Sequence, residues 1–180
     1  MLALHKFSLR LLISILVMGT FVVAAKAQHS ANVYKLAEAG IQFTVPTGWA
    51  VKKDKNGTVT VSKKENDTYV VIAVMALPTD PSMALDHEFA AFSKGIFDSI
   101  KKDWKTYKAD EVSKQTQNGM SIIVQTFTGT APDAGGELVG LIIVMDASKP
   151  VGVFAQRTKK YSDTLGKESR DLLSSIKKID

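Results

Sequence analysis

The chain has no cysteine among its 180 residues and only three histidines. Without thiols it can form neither disulfides nor thiolate zinc sites, and it has no cysteine nucleophile. The same absence excludes a lipid anchor attached to a cysteine at a signal-peptide cleavage site. Folding therefore depends on an apolar core alone, and a site built from several imidazoles is excluded.

His87 is the only histidine in the expected folded region, because His5 and His29 lie in or beside the N-terminal segment. A zinc-protease motif needs a second histidine four residues later, where this chain has Ala91. A serine hydrolase would need His87 as its base and a Gly-x-Ser-x-Gly turn for its nucleophile, and that turn is missing. The sequence therefore predicts no catalytic residues, no metal and no cofactor, and a protein that is not an enzyme.

The first 27 residues have the pattern of a cleavable export signal. Lys6 and Arg10 precede the apolar residues 11–23, and Ala25 and Ala27 supply the small side chains that a signal peptidase requires. The alternative is an uncleaved anchor, but 13 residues fall short of the ~20 that cross a bilayer. We therefore expect cleavage after Ala27, no membrane span in the product, and a periplasmic or secreted location.

Most of the excess positive charge belongs to this segment. The chain has 23 basic and 18 acidic residues, a net charge of +5, and the first 27 residues hold three of the bases and no acid. The remaining 153 residues carry 20 bases against 18 acids, a net +2. Lysine pairs such as Lys63-Lys64 and Lys159-Lys160 have acids nearby, which favours a mixed solvated surface over nucleic-acid binding.

The strand signals are alternating or continuous apolar runs. Residues 41–45 alternate, while residues 68–77 and 138–145 are apolar on both faces and predict inner strands, with a last strand at 151–156. Asn56-Gly57 predicts a hairpin of residues 49–53 and 58–63 with a type I′ turn. Asn118-Gly119 predicts a second hairpin of residues 108–115 and 120–130.

Two helices are expected. The first begins at Asp80-Pro81, because Asp80 suits the N-cap and proline suits the first turn. Its apolar stripe consists of Leu85, Phe89, Phe92, Ile96, Ile100 and Trp104. The second runs from Ser162 to the chain end, with Lys177 and Lys178 in its last turn, where the helix dipole favours cations. Strands followed by helices in this order predict an α+β sandwich with helices on an antiparallel sheet.

Residues 40–49 have the sequence GIQFTVPTGW, and hairpins, a long helix, more strands and a final helix follow. This order resembles the PsbP/DcrB-like superfamily over residues 40–180, with residues 28–39 as a polar N-terminal lead. The resemblance implies an α/β/α sandwich and an accessory or adaptor module, and it transfers no catalytic residue. Phe43, Pro46 and Trp49 would match the start of the family's domain, where they close one end of the sandwich.

Two functions remain open from the sequence. The first is a non-catalytic exported module that binds a protein or cell-envelope component. The alternative is a small-ligand carrier or an enzyme, in which Phe89, Phe92, Phe97 and Trp104 line an apolar pocket beside the long helix rather than filling a core.

Overall fold

The computed structural model describes residues 32–78, 83–132 and 136–179. Its α-helices in these ranges are α1 (Leu85–Asp103) and α2 (Asp163–Ser174). Its strands are β1 (Asn32–Leu36), β2 (Ile41–Val45), β3 (Ala50–Lys53), β4 (Val59–Glu65), β5 (Thr68–Ala76), β6 (Thr106–Ala109), β7 (Ser113–Gln117), β8 (Met120–Thr130), β9 (Glu137–Met145), β10 (Val151–Thr158) and β11 (Lys177–Lys178).

An antiparallel sheet of 8 strands forms the middle layer, in the order β3-β4-β5-β10-β9-β8-β6, with β7 also paired to β8. The predicted inner strands are β5 and β9, and β10 is the strand predicted at 151–156; most residues on both sides of these strands are buried because elements pack on both faces of the sheet. The single strand predicted at residues 108–115 is wrong. It is divided into β6 and β7, because the register against β8 shifts by one residue between the pairs Ala109–Phe127 and Ser113–Val124.

Both predicted hairpins are confirmed, but the type I′ turn predicted at Asn56-Gly57 is wrong. Asn118 and Gly119 have φ of 49° and 74°, the two positive values that a type I′ turn requires. In the β3–β4 hairpin only Gly57 has a positive φ, 85°. The carboxylate of Asp54 accepts from the backbone N–H groups of Asn56 and Thr58, which stabilises a longer loop that ends in a left-handed glycine.

Helix α1 covers one face of the sheet and forms an apolar cluster with β5, β8, β9 and β10. The sequence placed its start at Asp80-Pro81, which lies outside the described residues. The helix begins instead at Leu85, after Ala84, whose side chain makes no cap hydrogen bond. The apolar stripe is confirmed, since Phe89, Ile96 and Ile100 are buried against the sheet.

The opposite face is covered by α2 and by a second sheet of 3 strands, in the order β1-β2-β11. This small sheet corrects two expectations. Over its described part, the polar lead at residues 28–39 forms β1 and a 3-10 turn packed on the core through Leu36 and Ala39. The final helix ends at Ser174, and Lys177 and Lys178 pair with β2 instead of extending it.

The chain is therefore an α+β protein in which helices cover both faces of an antiparallel sheet, as predicted. The core lies in two clusters, one on each side of the sheet. The α2 side differs from a simple helical layer because the small sheet shares it, and this division leaves part of that face uncovered.

Candidate functional site

The half of the large sheet that contains β8 and β9 is only partly covered on its α2 side. Along β8 the exposed Thr126 is followed by Phe127, which faces α1 and is 0% exposed. Along β9 the half-buried residues Val139 and Leu141 alternate with fully buried ones. We call the half-buried or exposed side chains on this side the open face: Val124, Thr126, Thr128, Val139 and Leu141.

The open face combines apolar groups with hydroxyls. The strand register places Thr126 beside Leu141 and Thr128 beside Val139. At its outer edge the hydroxyls of Thr106 and Thr130 lie 2.8 Å apart, and Thr126 donates to the Asp110 carboxylate. The surface is therefore formed by β-strands and is half apolar, with hydrogen-bonded polar groups along one side.

Arg157 borders the open face on β10, where it is half-buried. Its Nη1 donates to the carbonyls of Thr158 and Lys159, each at 3.2 Å. The guanidinium carbon lies 4.0 Å from the ring centroid of Tyr161, in cation–π geometry. The ring in turn covers Gly166 of α2, where a Cβ would lie 2.2 Å from Tyr161 Cε2. This stack fixes the guanidinium in one position.

Arg170 lies one helical turn beyond Gly166, on the same side of α2. Burial lowers the pKa of Arg157, Tyr161 opposes this, and the positive charge of Arg170 lowers the pKa further. Within the described ranges, no carboxylate lies within 4.0 Å of either arginine. Arg170 therefore lies within electrostatic range of Arg157, and in the described ranges neither arginine is paired with a carboxylate.

A second polar group, which we call the clamp, joins the β3–β4 hairpin to α2: Trp49, Lys63, Glu65, Ser162 and Glu168. Trp49 Nε1 and Lys63 Nζ both donate to Glu168 Oε2, each at 2.8 Å. Ser162 Oγ donates to Glu65 Oε2 at 2.8 Å and also accepts from the backbone N–H of Leu165 as the α2 N-cap.

Hydrogen bonding in the clamp perturbs two pKa values. The hydrogen bonds from Ser162 and Lys63 lower the pKa of Glu65. Partial burial lowers the pKa of Lys63, but its hydrogen bonds to Glu168 and Glu65 outweigh this and raise it. Each group therefore favours its charged form, so the clamp is an ion-pair network that holds α2 on the hairpin.

The three residues that match the start of the family's domain lie beside the clamp. Phe43 is 1% exposed and stacks on Tyr34 of β1, with ring centroids 6.1 Å apart. Pro46 accepts from the backbone N–H of Trp49 at 3.4 Å, which closes the turn before β3. Trp49 is 7% exposed and contacts the clamp through its indole N–H.

The aromatic rings proposed for a pocket or core lie on the opposite side of the sheet. Phe97 and Trp104 pack on Phe127, with centroids 5.5 and 5.6 Å apart. Phe89 is 6% exposed, and Phe92 covers Gly152, where a Cβ would lie 2.9 Å from its ring. These rings fill the layer between α1 and the sheet.

The polar residues at the start of α1 differ in their exposure. Asp86 and His87 are exposed, whereas Glu88 is buried. Asp86 pairs with Lys114 at 2.6 Å across an open groove of about 430 Å³ that is also lined by Leu85 and Ile123. In the described residues no three His, Asp or Glu side chains come together as metal ligands.

The residues of the export signal, including Ala25 and Ala27, lie outside the described ranges. Cleavage therefore stays a prediction. Neither described helix is long and apolar enough to cross a membrane.

The fold has counterparts among solved structures. No protein-family sequence model matches the chain, and comparison with curated protein sequences gives no match. Cyanobacterial PsbP (CyanoP) from Synechocystis sp. PCC 6803 matches with a TM-score of 0.59 and 16% identity, over 87% of this chain and 97% of that chain. The Ran-binding protein Mog1p from Saccharomyces cerevisiae matches with a TM-score of 0.51 and 9% identity, over 85% and 97%.

A third match is a protein from Bacteroides thetaiotaomicron, with a TM-score of 0.50 and 10% identity over 87% of this chain. It covers 49% of that protein, so this chain spans about half its length. Together the matches show that the chain has an α+β sandwich fold like that of cyanobacterial PsbP, the fold that the sequence resemblance implied. At these identities the likeness establishes the fold.

Proposed function

We propose that this protein is an exported, non-catalytic accessory module that binds a partner protein of the cell envelope through the open face. One observation carries the proposal: Val139 and Leu141 are only partly buried, beside the exposed Thr126, on strands whose opposite face is buried. An apolar surface rimmed by polar groups is typical of an interaction site. The likeness to a Ran-binding protein supports protein recognition by this type of fold.

Packing on the α1 side favours this function over a ligand carrier. A carrier would need space beside α1, but the rings of Phe92 and Trp104 contact the sheet at Gly152 and Gly129, where side chains would collide with them. The open groove near Asp86 and Lys114 is bridged by their ion pair rather than enclosed by apolar walls.

A photo-crosslinking amino acid at Thr128, on the open face, tests the proposal in cells that make the protein. The same amino acid at Lys94, an exposed position on α1, is the matched control. We expect a discrete adduct with one protein from Thr128 and none from Lys94. No adduct at Thr128, or the same adducts at both positions, would contradict the proposal.

Export is tested separately by the N-terminal sequence of the protein recovered outside the cytoplasm. We expect it to begin at Gln28, after cleavage at Ala27. Recovery of the chain only in the cytoplasm, still beginning at Met1, would refute this part.

A further inference from the structure

The edge of the open face is positively charged because Arg157 and Arg170 keep their charge, whereas three nearby lysines are neutralised by ion pairs. Ion pairs neutralise Lys159 with Glu137 at 2.7 Å, Lys63 with Glu168 at 2.8 Å, and Lys167 with Asp171 at 2.6 Å. In the described part of the chain, Arg157 and Arg170 have no such partner. Among the described residues, two carboxylates border the open face: that of Glu137, which alternates with Val139 on β9 and is paired with Lys159, and that of Asp110, at the far side, which accepts from Thr126.

The Arg157 side chain is already ordered in a position that could receive an anion. Two backbone carbonyls and the Tyr161 ring hold its guanidinium, so little side-chain entropy remains to be lost on binding. Arg170 adds a second, exposed guanidinium nearby. A carboxylate between them would remove their mutual repulsion and accept paired hydrogen bonds, the geometry that arginine forms with carboxylates.

The surface beside the arginines favours a polypeptide as the source of that carboxylate. Val139 and Leu141 are two residues apart on β9, and Thr126 and Thr128 are two apart on β8. This spacing matches alternate side chains of an extended polypeptide. A phosphate or a lipid headgroup would satisfy the arginines but leave the apolar side chains of the open face uncovered.

We propose that the open face binds an extended acidic segment of the partner protein, in which a Glu or Asp pairs with Arg157 and Arg170 while alternate apolar side chains lie on Val139 and Leu141. This inference rests on the proposed function and specifies the chemistry of the partner. The arginines provide charge selectivity, and Val139 and Leu141 provide apolar contact.

Binding of a defined peptide to the isotope-labelled protein, followed by NMR, tests the inference. The probe is a capped Thr-Glu-Val-Glu-Val-Thr peptide, and the control peptide carries Lys in place of Glu. We expect shifts at Val139, Leu141 and Thr128 with the Glu peptide only. Arg170→Glu should weaken binding about tenfold, as loss of a close charge pair implies. Lys167→Glu, the same charge change on the same helix, should change it less than about twofold.

Several results would overturn the inference. They are equal binding of both peptides, equal weakening by Arg170→Glu and Lys167→Glu, shifts confined to the α1 side, and no shifts at millimolar peptide. Shifts of the same residues by inorganic phosphate, by phosphatidylglycerol vesicles or by dilution of the protein alone, but not by the Glu peptide, would identify a different occupant.

The crosslinking experiment separates the two proposals. An adduct from Thr128 whose contacting segment contains neither Asp nor Glu overturns the acidic segment but leaves the protein-binding function standing. Absence of any adduct, together with selective binding of the Glu peptide, refutes the cellular function while retaining the binding chemistry.

Discussion

Replacement of Gly140 by alanine tests whether the layer beneath α1 is filled. Gly140 lies on β9 under the ring of Phe127, and a Cβ there would lie 1.9 Å from Phe127 Cζ and 2.4 Å from both Cε atoms. Phe127 is 0% exposed, and Phe97, Trp104 and Phe154 surround it at centroid distances of 5.5, 5.6 and 6.3 Å. The ring therefore has no free space into which it can turn.

The expected cost follows from two opposing effects. Overpacking of a buried site costs about 1–3 kcal/mol, and so close a contact belongs at the upper end. Loss of glycine entropy from the unfolded chain offsets about 0.4–1 kcal/mol. We expect Gly140→Ala to lower the free energy of unfolding by about 2 kcal/mol, which for a chain of this size lowers Tm by about 4–8 °C.

Urea denaturation followed by tryptophan fluorescence, together with calorimetry, measures this effect. Gly136→Ala is the control, because a Cβ at Gly136 meets nothing within 4 Å, and we expect it to be neutral or slightly stabilising. Adding Phe127→Leu to Gly140→Ala should recover part of the loss, since the clash is with the ring. If Gly140→Ala is as stable as Gly136→Ala, the layer has room for a methyl group and the pocket hypothesis regains support.

The remaining predictions concern the clamp. Glu168→Ala removes the acceptor shared by Trp49 and Lys63 and should cost about 1.5–3 kcal/mol in urea denaturation. Ser162→Ala removes the α2 N-cap and should cost about 1 kcal/mol in the same assay. The folded-state pKa of Glu65 is lowered from 4.5, so its stabilisation is present above that pH and is lost as the pH falls through the folded value. Glu65→Gln should therefore flatten the loss of stability below pH 4.5, as urea midpoints at several pH values will show.

Asp171→Ala is the control for the Glu168 variant. It removes an ion pair on the same helix, but Asp171 and Lys167 are 56% and 72% exposed, so the cost should stay below about 0.5 kcal/mol. Equal losses for the two variants would show that the clamp is no more than a surface charge effect. A Glu65→Gln curve parallel to that of the unaltered protein would show that Glu65 is not titrating in the clamp.

Elements with a strong local signal were predictable from the sequence. Residues 68–77 and 138–145 are apolar at every position that a covered sheet buries, so β5 and β9 followed from composition alone. Asn118-Gly119 fixed a hairpin because both residues tolerate positive φ. The Asn56-Gly57 turn differed because the Asp54 side chain, two residues earlier, supplies hydrogen bonds that favour a longer loop.

The chain end was predicted wrongly because its apolar spacing fits two structures. Leu172, Ile176 and Ile179 suit a helical face, yet the helix stops at Ser174. The backbone N–H of Ile179 donates to the Gly40 carbonyl at 2.8 Å, and Ile176 is 0% exposed between helix and strand. Pairing with β2, about 135 residues earlier in the chain, outweighs local helical propensity, and no local pattern reports such a partner.

The candidate site was missed for a related reason. In the sequence the visible positive charge near the C-terminus is Lys159-Lys160, but strand pairing places Lys159 on Glu137 and neutralises it. The arginines that remain unpaired among the described residues at the open face are Arg157 and Arg170, which a turn and half a helix separate in the chain. They approach because Gly166 lets the Tyr161 ring lie directly on α2. A bulkier residue at position 166 would displace that ring and release Arg157, so the site depends on one glycine that has no conspicuous sequence pattern.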